Sequence, residues 1–337
     1  MKKIFLAVLL PVLLIFSGCT SQAAMNSSPA TNDLKVSVLN IGHGDSILIQ
    51  TAAQTILVDT ADNSKHASLV RELEKFSVTK IDKLILTHPH VDHIGGARML
   101  IKPTDKQLAA YPYLEKISVG EVYDNGVPFA NPAYRAYMRA VEATGIKRQS
   151  LKAGDTLDFG GGVKFNVLWP ASEYIAEVNG GKVDNGDRTY KMNNSSIVGR
   201  LTYGNFSVML TGDCEKESEA KIVEKYSAED LKCDVLKAGH HGSKNSSAKN
   251  FIAEVKPSYV LVSAGDKEEK GNAYGTPHLK FLERFLEQGV DPKNIFCTRW
   301  NGTITVTSDG KTFSVQPETQ ADWVEEWMDK KRKLGTT

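Results

Sequence analysis

Residues 87–96 read T-H-P-H-V-D-H-I-G-G, and three of the chain's eight histidines fall inside them. The stretch leaves K-L-I-L-T (83–87), a leucine and β-branched run that reads as a buried strand, and leads into Ala97 to Ile101, which starts a helix. A loop leaving a buried strand is where a rigid scaffold presents functional groups. His88, His90, Asp92 and His93 are spaced i, i+2, i+4 and i+5. In an extended turn entering a helix, His88 and His90 can point to one side while Asp92 and His93 turn to a second point nearby. Neutral imidazole and carboxylate are ligands that zinc, manganese and iron accept. One ion needs about four ligands, and a pair roughly 3.5–4 Å apart needs more, so a second cluster is expected elsewhere.

Two stretches answer that expectation. Thr211-Gly212-Asp213 follows the apolar run F-S-V-M-L, and Gly239-His240-His241-Gly242-Ser243 follows D-V-L-K-A. Either alone could be a turn carrying surface histidines; three clusters at strand exits point to convergence. The remaining pattern is α/β. K-V-S-V-L-N, S-I-L-I-Q and T-I-L-V-D read as adjacent strands, and residues 64–78 carry apolar residues at helical spacing. A strand at E-V-Y-D, a helix from Ala133 to Thr144 and a strand pair around Gly160-Gly161-Gly162 follow. Residues 170–195, polar and glycine-rich, read as a long surface loop. The second half gives strands S-I-V-G-R-L-T-Y, F-S-V-M-L-T-G-D, D-V-L-K-A and S-Y-V-L-V-S, then strands near 294–298, 303–307 and 312–315. Helices are expected at about 215–227, 247–254 and 278–287. The pattern suggests two sheets packed face to face with helices outside.

The motifs carry a resemblance. H-x-H-x-D-H is intact, and L-V-D-T (57–60), L-T-G-D (210–213) and K-A-G-H-H-G-S (237–243) follow in order, as in the metallo-β-lactamase superfamily. The chain more specifically resembles the extracellular hydrolase domain of the ComEC competence DNA-uptake proteins. I-G-H-G-D (41–45), N-N-S-S-I-V (193–198), N-S-S-A-K-N-F (245–251) and N-A-Y-G-T-P-H (272–278) carry that likeness, which covers about residues 34–308. The multi-helix membrane channel of full ComEC is absent from the sequence, so a freestanding relative is expected.

The resemblance implies an α/β four-layer αββα sandwich, the metallo-β-lactamase fold, with two divalent ions, zinc or alternatively manganese. It implies His88 and His90 on one ion, Asp92 and His93 on the other, and Asp213 between them. His241 completes the second site, with His240 the competing candidate. Asn193, or Asn194, stands where the superfamily often has a third histidine for the first ion. Asp59 and Asp45 are expected to orient the ligands by hydrogen bonds. Asp92, Asp213 and His240 are the expected catalytic groups, and Ser243 a further contact or supporting hydroxyl. The sequence departs from the pattern at His43, where the group has Gln, and at Cys214, where it has a small non-ligand residue. Thr276-Pro277-His278 shifts a histidine by two places.

The reading for function is an exported metal-dependent hydrolase, a phosphodiesterase or nuclease that attacks extracellular DNA with a hydroxide shared between the ions. The alternatives are a cell-envelope phosphodiesterase or esterase of choline phosphate or teichoic acid type, and a non-catalytic surface binding module. No obligate protein partner is implied.

The first thirty residues give the expected location. Met1-Lys2-Lys3, the apolar run Ile4 to Phe16 and Ser17-Gly18-Cys19 read as a lipoprotein signal over 1–18, with Cys19 acylated and anchored on the outer face of the membrane. The alternative is a secreted protein cut near Ala23-Ala24. Residues 19–33 read as a flexible tether, 34–315 as the hydrolase domain, and 316–337 as an amphipathic helix and tail. Forty-one Lys and Arg stand against 40 Asp and Glu, and losing Lys2 and Lys3 turns the formal +1 into −1. That balance gives no support to non-specific nucleic-acid binding through net charge. Of four cysteines, Cys214, Cys233 and Cys297 follow Cys19, and they form no disulfide framework.

Overall fold

The computed structural model describes residues 33–181, 185–266, 272 and 275–335. The expected signal 1–18, Cys19 and the tether up to residue 32 lie outside the described residues. Six strands come first: β1 (Leu34–Val38), β2 (Ile47–Gln50), β3 (Thr55–Val58), β4 (Lys80–Leu86), β5 (Ser118–Asp124) and β6 (Lys147–Ser150). Seven build a second sheet: β7 (Thr156–Asp158), β8 (Val163–Trp169), β9 (Val198–Tyr203), β10 (Phe206–Leu210), β11 (Val235–Lys237), β12 (Tyr259–Val262) and β13 (Ile295–Cys297). The hairpin β14 (Ile304–Ser308) and β15 (Phe313–Pro317) then returns to the first, giving the order β15-β14-β1-β2-β3-β4-β5-β6 against β13-β12-β11-β10-β9-β8-β7.

Alternation along the strands sorts the side chains into three apolar layers. Ile47 and Ile49, Ile56 and Val58, Ile85, Val208 and Leu210, Val235 and Leu261 meet between the sheets. Leu48, Leu57, Leu84 and Leu86 face the other way, against Leu69 and Leu73 of the helix His66–Lys75 and Tyr137 of the helix Pro132–Thr144. Met209, Leu236, Val260 and Val262 face outward on the second sheet, under Phe251, Phe281 and Phe285. Because both faces of each sheet are covered, the central strands read as near-continuous apolar runs. The result is helix, sheet, sheet, helix, the four-layer sandwich expected.

Two stretches differ from the sequence expectation. Residues 170–195 hold two helices, Ser172–Gly180 and Asn185–Asn194, rather than a long loop. Their polar composition hides a few anchors: Tyr174, Val178 and Met192 are buried against Trp169 and the outer core, and this tertiary packing overrides weak local propensity. Strand β6, K-R-Q-S, has no apolar residue to announce it; it pairs in parallel with β5 and is held by Arg148, whose Nε donates to Asp124 Oδ2 at 2.5 Å. The C-terminal amphipathic segment forms the helix Val324–Lys333, with Trp323, Val324, Trp327 and Met328 buried in the outer core.

The strand directions place the site. β3 to β6 run parallel, and so do β10 to β13. The carboxyl ends of these strands meet at one edge of the sandwich, the usual position for a ligand site in such sheets. Phe165, 1% exposed between the sheets and stacked on Phe159 at 5.8 Å, tests the central layer. Phe165→Ala should lower the unfolding free energy by about 3–5 kcal/mol in urea titration with an unchanged slope.

Candidate metal centre

Each chain segment that ends at this edge delivers polar groups. Asp59 leaves β3, the histidine loop leaves β4, Asp213 leaves β10, and His240 and His241 leave β11. The backbone stitches these loops together. Asp45 N–H donates to Asp92 O at 3.1 Å, Thr60 N–H to His93 O at 2.6 Å, and Gly95 N–H to Ala61 O at 2.8 Å. The contact at Gly95 leaves no room for a side chain: a Cβ there would lie 2.2 Å from the Asn63 nitrogen. The G-G after the motif thus serves close approach of the ligand loop to the β3 loop.

The side chains gather into two groups that share Asp213. Asp92, His93, Asp213 and His241 form one, and His88, His90 and Asp213 the other; within each, one ligand atom per residue lies within 4.8 Å of the rest. His88 Nε2 and His90 Nδ1 are 3.0 Å apart. Asp213 Oδ1 is 3.2 Å from His93 Nε2 and 3.6 Å from His241 Nε2, while Oδ2 is 3.8 Å from both His88 Nε2 and His240 Nε2. Among the described residues, His90 Nε2, His93 Nε2, Asp213 Oδ1, Asn193 Oδ1 and Glu215 Oε2 are buried without a hydrogen-bond partner. Buried polar atoms are normally satisfied, so such a concentration at one edge fits a donor set made for cations. Burial, reinforced by the other histidines, keeps His88 well below its ordinary pKa, so it is neutral and ready to donate a lone pair.

The alternatives left open by the sequence separate here. His240 and His241 both lie in the left-handed region, at φ 46° and 53°, a strained pair for non-glycine residues. His241 is buried, with Nδ1 donating to Ser263 O at 3.0 Å, which turns Nε2 toward Asp92 and Asp213. His240 instead keeps 29% of its side chain exposed and pairs its Nδ1 with Glu215 Oε1 at 2.6 Å. Burial works against protonation of His240, but the carboxylates of Asp213 and Glu215 outweigh it and raise its pKa. Asn194 spends its side chain on structure, since Oδ1 accepts from Glu215 N, Ser218 N and Ser218 Oγ and Nδ2 donates to Tyr190 O. Asn193 donates to Glu215 Oε1 at 3.3 Å and keeps its carbonyl oxygen unused.

The supporting groups are equally specific. Asp59 accepts from Thr87 N, Thr87 Oγ1 and His93 Nδ1, each at 2.7 Å, which fixes the tautomer of His93. Asp45 contacts His241 Nδ1 at 3.3 Å, accepts from the Ser263 hydroxyl, and receives Lys237 Nζ at 2.8 Å. Asp45, Asp59 and His93 also lie within ligand distance of one another, but these bonds already engage both carboxylates. Ser243 Oγ accepts from Asn245 N at 3.2 Å and so braces its own loop. His43 packs its ring 4.4 Å from that of His241, and burial, then His241, push its pKa down to about 3. Cys214 turns away to Ser218 Oγ at 3.2 Å and joins neither group; burial pushes its thiol up. His278 Nδ1 accepts from Lys244 N at 3.0 Å, outside the cluster.

Lys237 and Glu215 were missed by the sequence reading. A lysine inside the apolar run D-V-L-K-A was the available signal for the first; nothing local announces the second. Lys237 is fully buried. Burial alone would raise the Asp45 carboxyl, but the Lys237 ammonium and His241 hold it below the usual carboxylate range. A depressed folded-state pKa stabilises above the unfolded value of about 4 and fades as pH falls through the folded one. Lys237→Met, which strands a buried carboxylate, should therefore cost about 3–5 kcal/mol at pH 7. In denaturant titrations that difference should shrink as the pH is lowered, first because burial unopposed by the ammonium lets Asp45 take up a proton in the variant, then because the wild-type contribution fades below about pH 4.

Comparison with known proteins agrees with this geometry. Residues 39–266 match the Metallo-beta-lactamase superfamily. The chain is 31% identical over 303 residues to ComE operon protein 3 of Bacillus subtilis, covering 84% of this chain and 34% of that protein. It is 27% identical over 260 residues to competence protein ComA of Neisseria gonorrhoeae, covering 77% and 30%. The chain thus spans about a third of the length of these curated relatives. The crystal structure of the metallo-beta-lactamase fold protein YhfI from Bacillus subtilis superposes with a TM-score of 0.49 at 16% identity, covering 82% of this chain and 100% of that one. With the matched segment spanning both ligand groups, the chain belongs to the metallo-β-lactamase superfamily and has ComEC-like competence proteins among its relatives.

Proposed function

We propose that this protein is a two-metal phosphodiesterase whose substrate is extracellular DNA. The observation that carries the reading is the sharing of Asp213 between two ligand groups, each lined by buried nitrogen and oxygen atoms without partners. His88, His90 and Asp213 would hold one divalent ion, with the unpaired Asn193 carbonyl as a further candidate ligand; Asp92, His93, Asp213 and His241 would hold the other. Zinc suits the imidazole-rich set, and the Asn193 amide oxygen would favour manganese at the first position. Bound there, the ions would supply Lewis-acid polarisation of a phosphoryl oxygen and a water acidic enough to attack at neutral pH.

The chain's own residues do the rest. Asp59 and the Ser263 carbonyl hold the His93 and His241 rings in their tautomers. Glu215 holds His240 through Nδ1, which leaves Nε2 at the edge of the cluster, 3.8 Å from Asp213. An imidazolium so placed can give its proton to the departing oxygen of a cleaved diester. DNA as substrate is supported by the ComEC resemblance and by the competence named in ComA. A small envelope phosphodiester is the second reading, favoured by the balanced charge of the chain. The proposed location is the outer face of the membrane, through acylated Cys19; Cys19→Ala should then move the protein from the membrane fraction to the medium.

The test uses DNA and bis(p-nitrophenyl) phosphate, with EDTA followed by zinc or manganese. Chelation should abolish hydrolysis of both and re-added metal restore it, whereas Asp92→Ala should remove both activities. His240→Ala should lose roughly 10²–10⁴-fold on DNA, where the alkoxide needs a proton, and far less on the nitrophenyl ester, where it does not. Metal-dependent hydrolysis that survives Asp92→Ala overturns the assignment, and cleavage of the small ester alone favours the envelope substrate.

A further inference from the structure

One wall of the site is not polar. A groove of about 570 Å³ opens beside the cluster, lined by Asp62, Asn63, His90, Val91, Phe129 and Asn131 among others. It reaches the centre itself, because His90 and Asp92 line it too. Val91 lies between these two residues and is 37% exposed; with Tyr190 and Leu334 it makes up the exposed large apolar side chains among the described residues. Phe129 stands beside it, its ring 5.4 Å from that of His90 at 68°. Its loop is held in place: Asn131 Nδ2 donates to Pro89 O at 2.8 Å, inside the ligand motif, and Asn131 Oδ1 accepts from Tyr134 N at 2.7 Å.

We propose that Phe129 and Val91 form a platform on which the base of the nucleotide next to the scissile phosphate stacks, an inference that rests on the phosphodiesterase reading above. Phe129, half-buried and packed on the outer core, and the more exposed Val91 border the groove beside the histidine loop, so a phosphate at the cluster brings its neighbouring base within reach. Asp62, Asn63 and Asn131 give the groove hydrogen-bonding edges around an apolar face, the mixture a base requires. A quaternary ammonium would need several aromatic walls, and among the described residues lining this groove Phe129 is the one phenyl, phenol or indole ring. Base–aromatic stacking tolerates every sequence, which suits a degradative enzyme whose net charge is near zero.

The experiment measures fluorescence anisotropy of an eight-nucleotide oligothymidylate and of an abasic strand of equal length, both built with cleavage-resistant phosphorothioate linkages, with the full protein in zinc. The intact strand should bind roughly 5- to 150-fold more tightly than the abasic one. Phe129→Ala should erase this preference while Phe129→Trp keeps it. Equal binding of the two strands by the wild type, or a preference that survives Phe129→Ala, overturns the platform, as does displacement of the oligonucleotide by phosphocholine but not by thymidine monophosphate. Hydrolysis of bis(p-nitrophenyl) phosphate reads the phosphodiesterase assignment separately. Cleavage without base preference removes only the platform; base preference without cleavage removes only the hydrolase.

Discussion

The carboxylate of Asp213 is the point on which both sheets agree. It leaves β10 of the second sheet, yet its oxygens lie 3.2–3.8 Å from His93 and His88 of the first sheet and from His241 and His240 of the second. Burial alone would raise its pKa, but His93, His241 and His240 hold it well below the ordinary range. Such a carboxylate is kept ionised in a closed edge by the rings of both sheets that arrive with it. The relative position of the two sheets is therefore fixed by chemistry at the edge as well as by the apolar layer between them.

The supporting bonds cross the same boundary. Lys237 of β11 reaches Asp45 of the β1–β2 connection, 192 residues away in sequence, at 2.8 Å. Asp45 contacts His241 in turn, and His241 is fixed by Ser263 beyond β12. On the first sheet, Asp59 ties His93 to Thr87. The His93 and His241 rings are thus each held by a residue of a neighbouring strand end. That arrangement engages Nδ1 of both rings and turns Nε2 toward the cluster.

The sequence revealed the parts of this centre that depend on local spacing and strand position. His88, His90, Asp92, His93 and Asp213 could be chosen because each follows an apolar run at a strand exit. The apolar runs themselves foretold two covered sheets. What could not be read depends on distant partners or backbone detail. His240 and His241 are chemically identical neighbours, and only two successive left-handed residues and the Ser263 carbonyl tell them apart. Asn193 and Asn194 differ in the same way, since one is consumed by Glu215 and Ser218. Glu215 and Lys237 acquire meaning from partners that composition and periodicity do not reveal. The helices within 170–195 escaped notice because three buried anchors among polar residues leave almost no periodic signal.

The charges at this edge also explain why the fold and its cations belong together. Asp45, Asp59, Asp213 and Glu215 are each at most 2% exposed, with Asp92 half-buried beside them, against the buried ammonium of Lys237. Without cations the imidazoles must carry the compensation. The same carboxylates raise the pKa of His93, His240 and His241 against the effect of burial. Protons and divalent ions therefore occupy the same lone pairs, and one displaces the other. His88 and His90 sit on the opposite side of that balance, since burial lowers both and leaves them neutral. The two groups differ as a result: burial keeps His88 and His90 neutral, whereas the carboxylates favour protonated His93 and His241, whose protons a bound cation would displace.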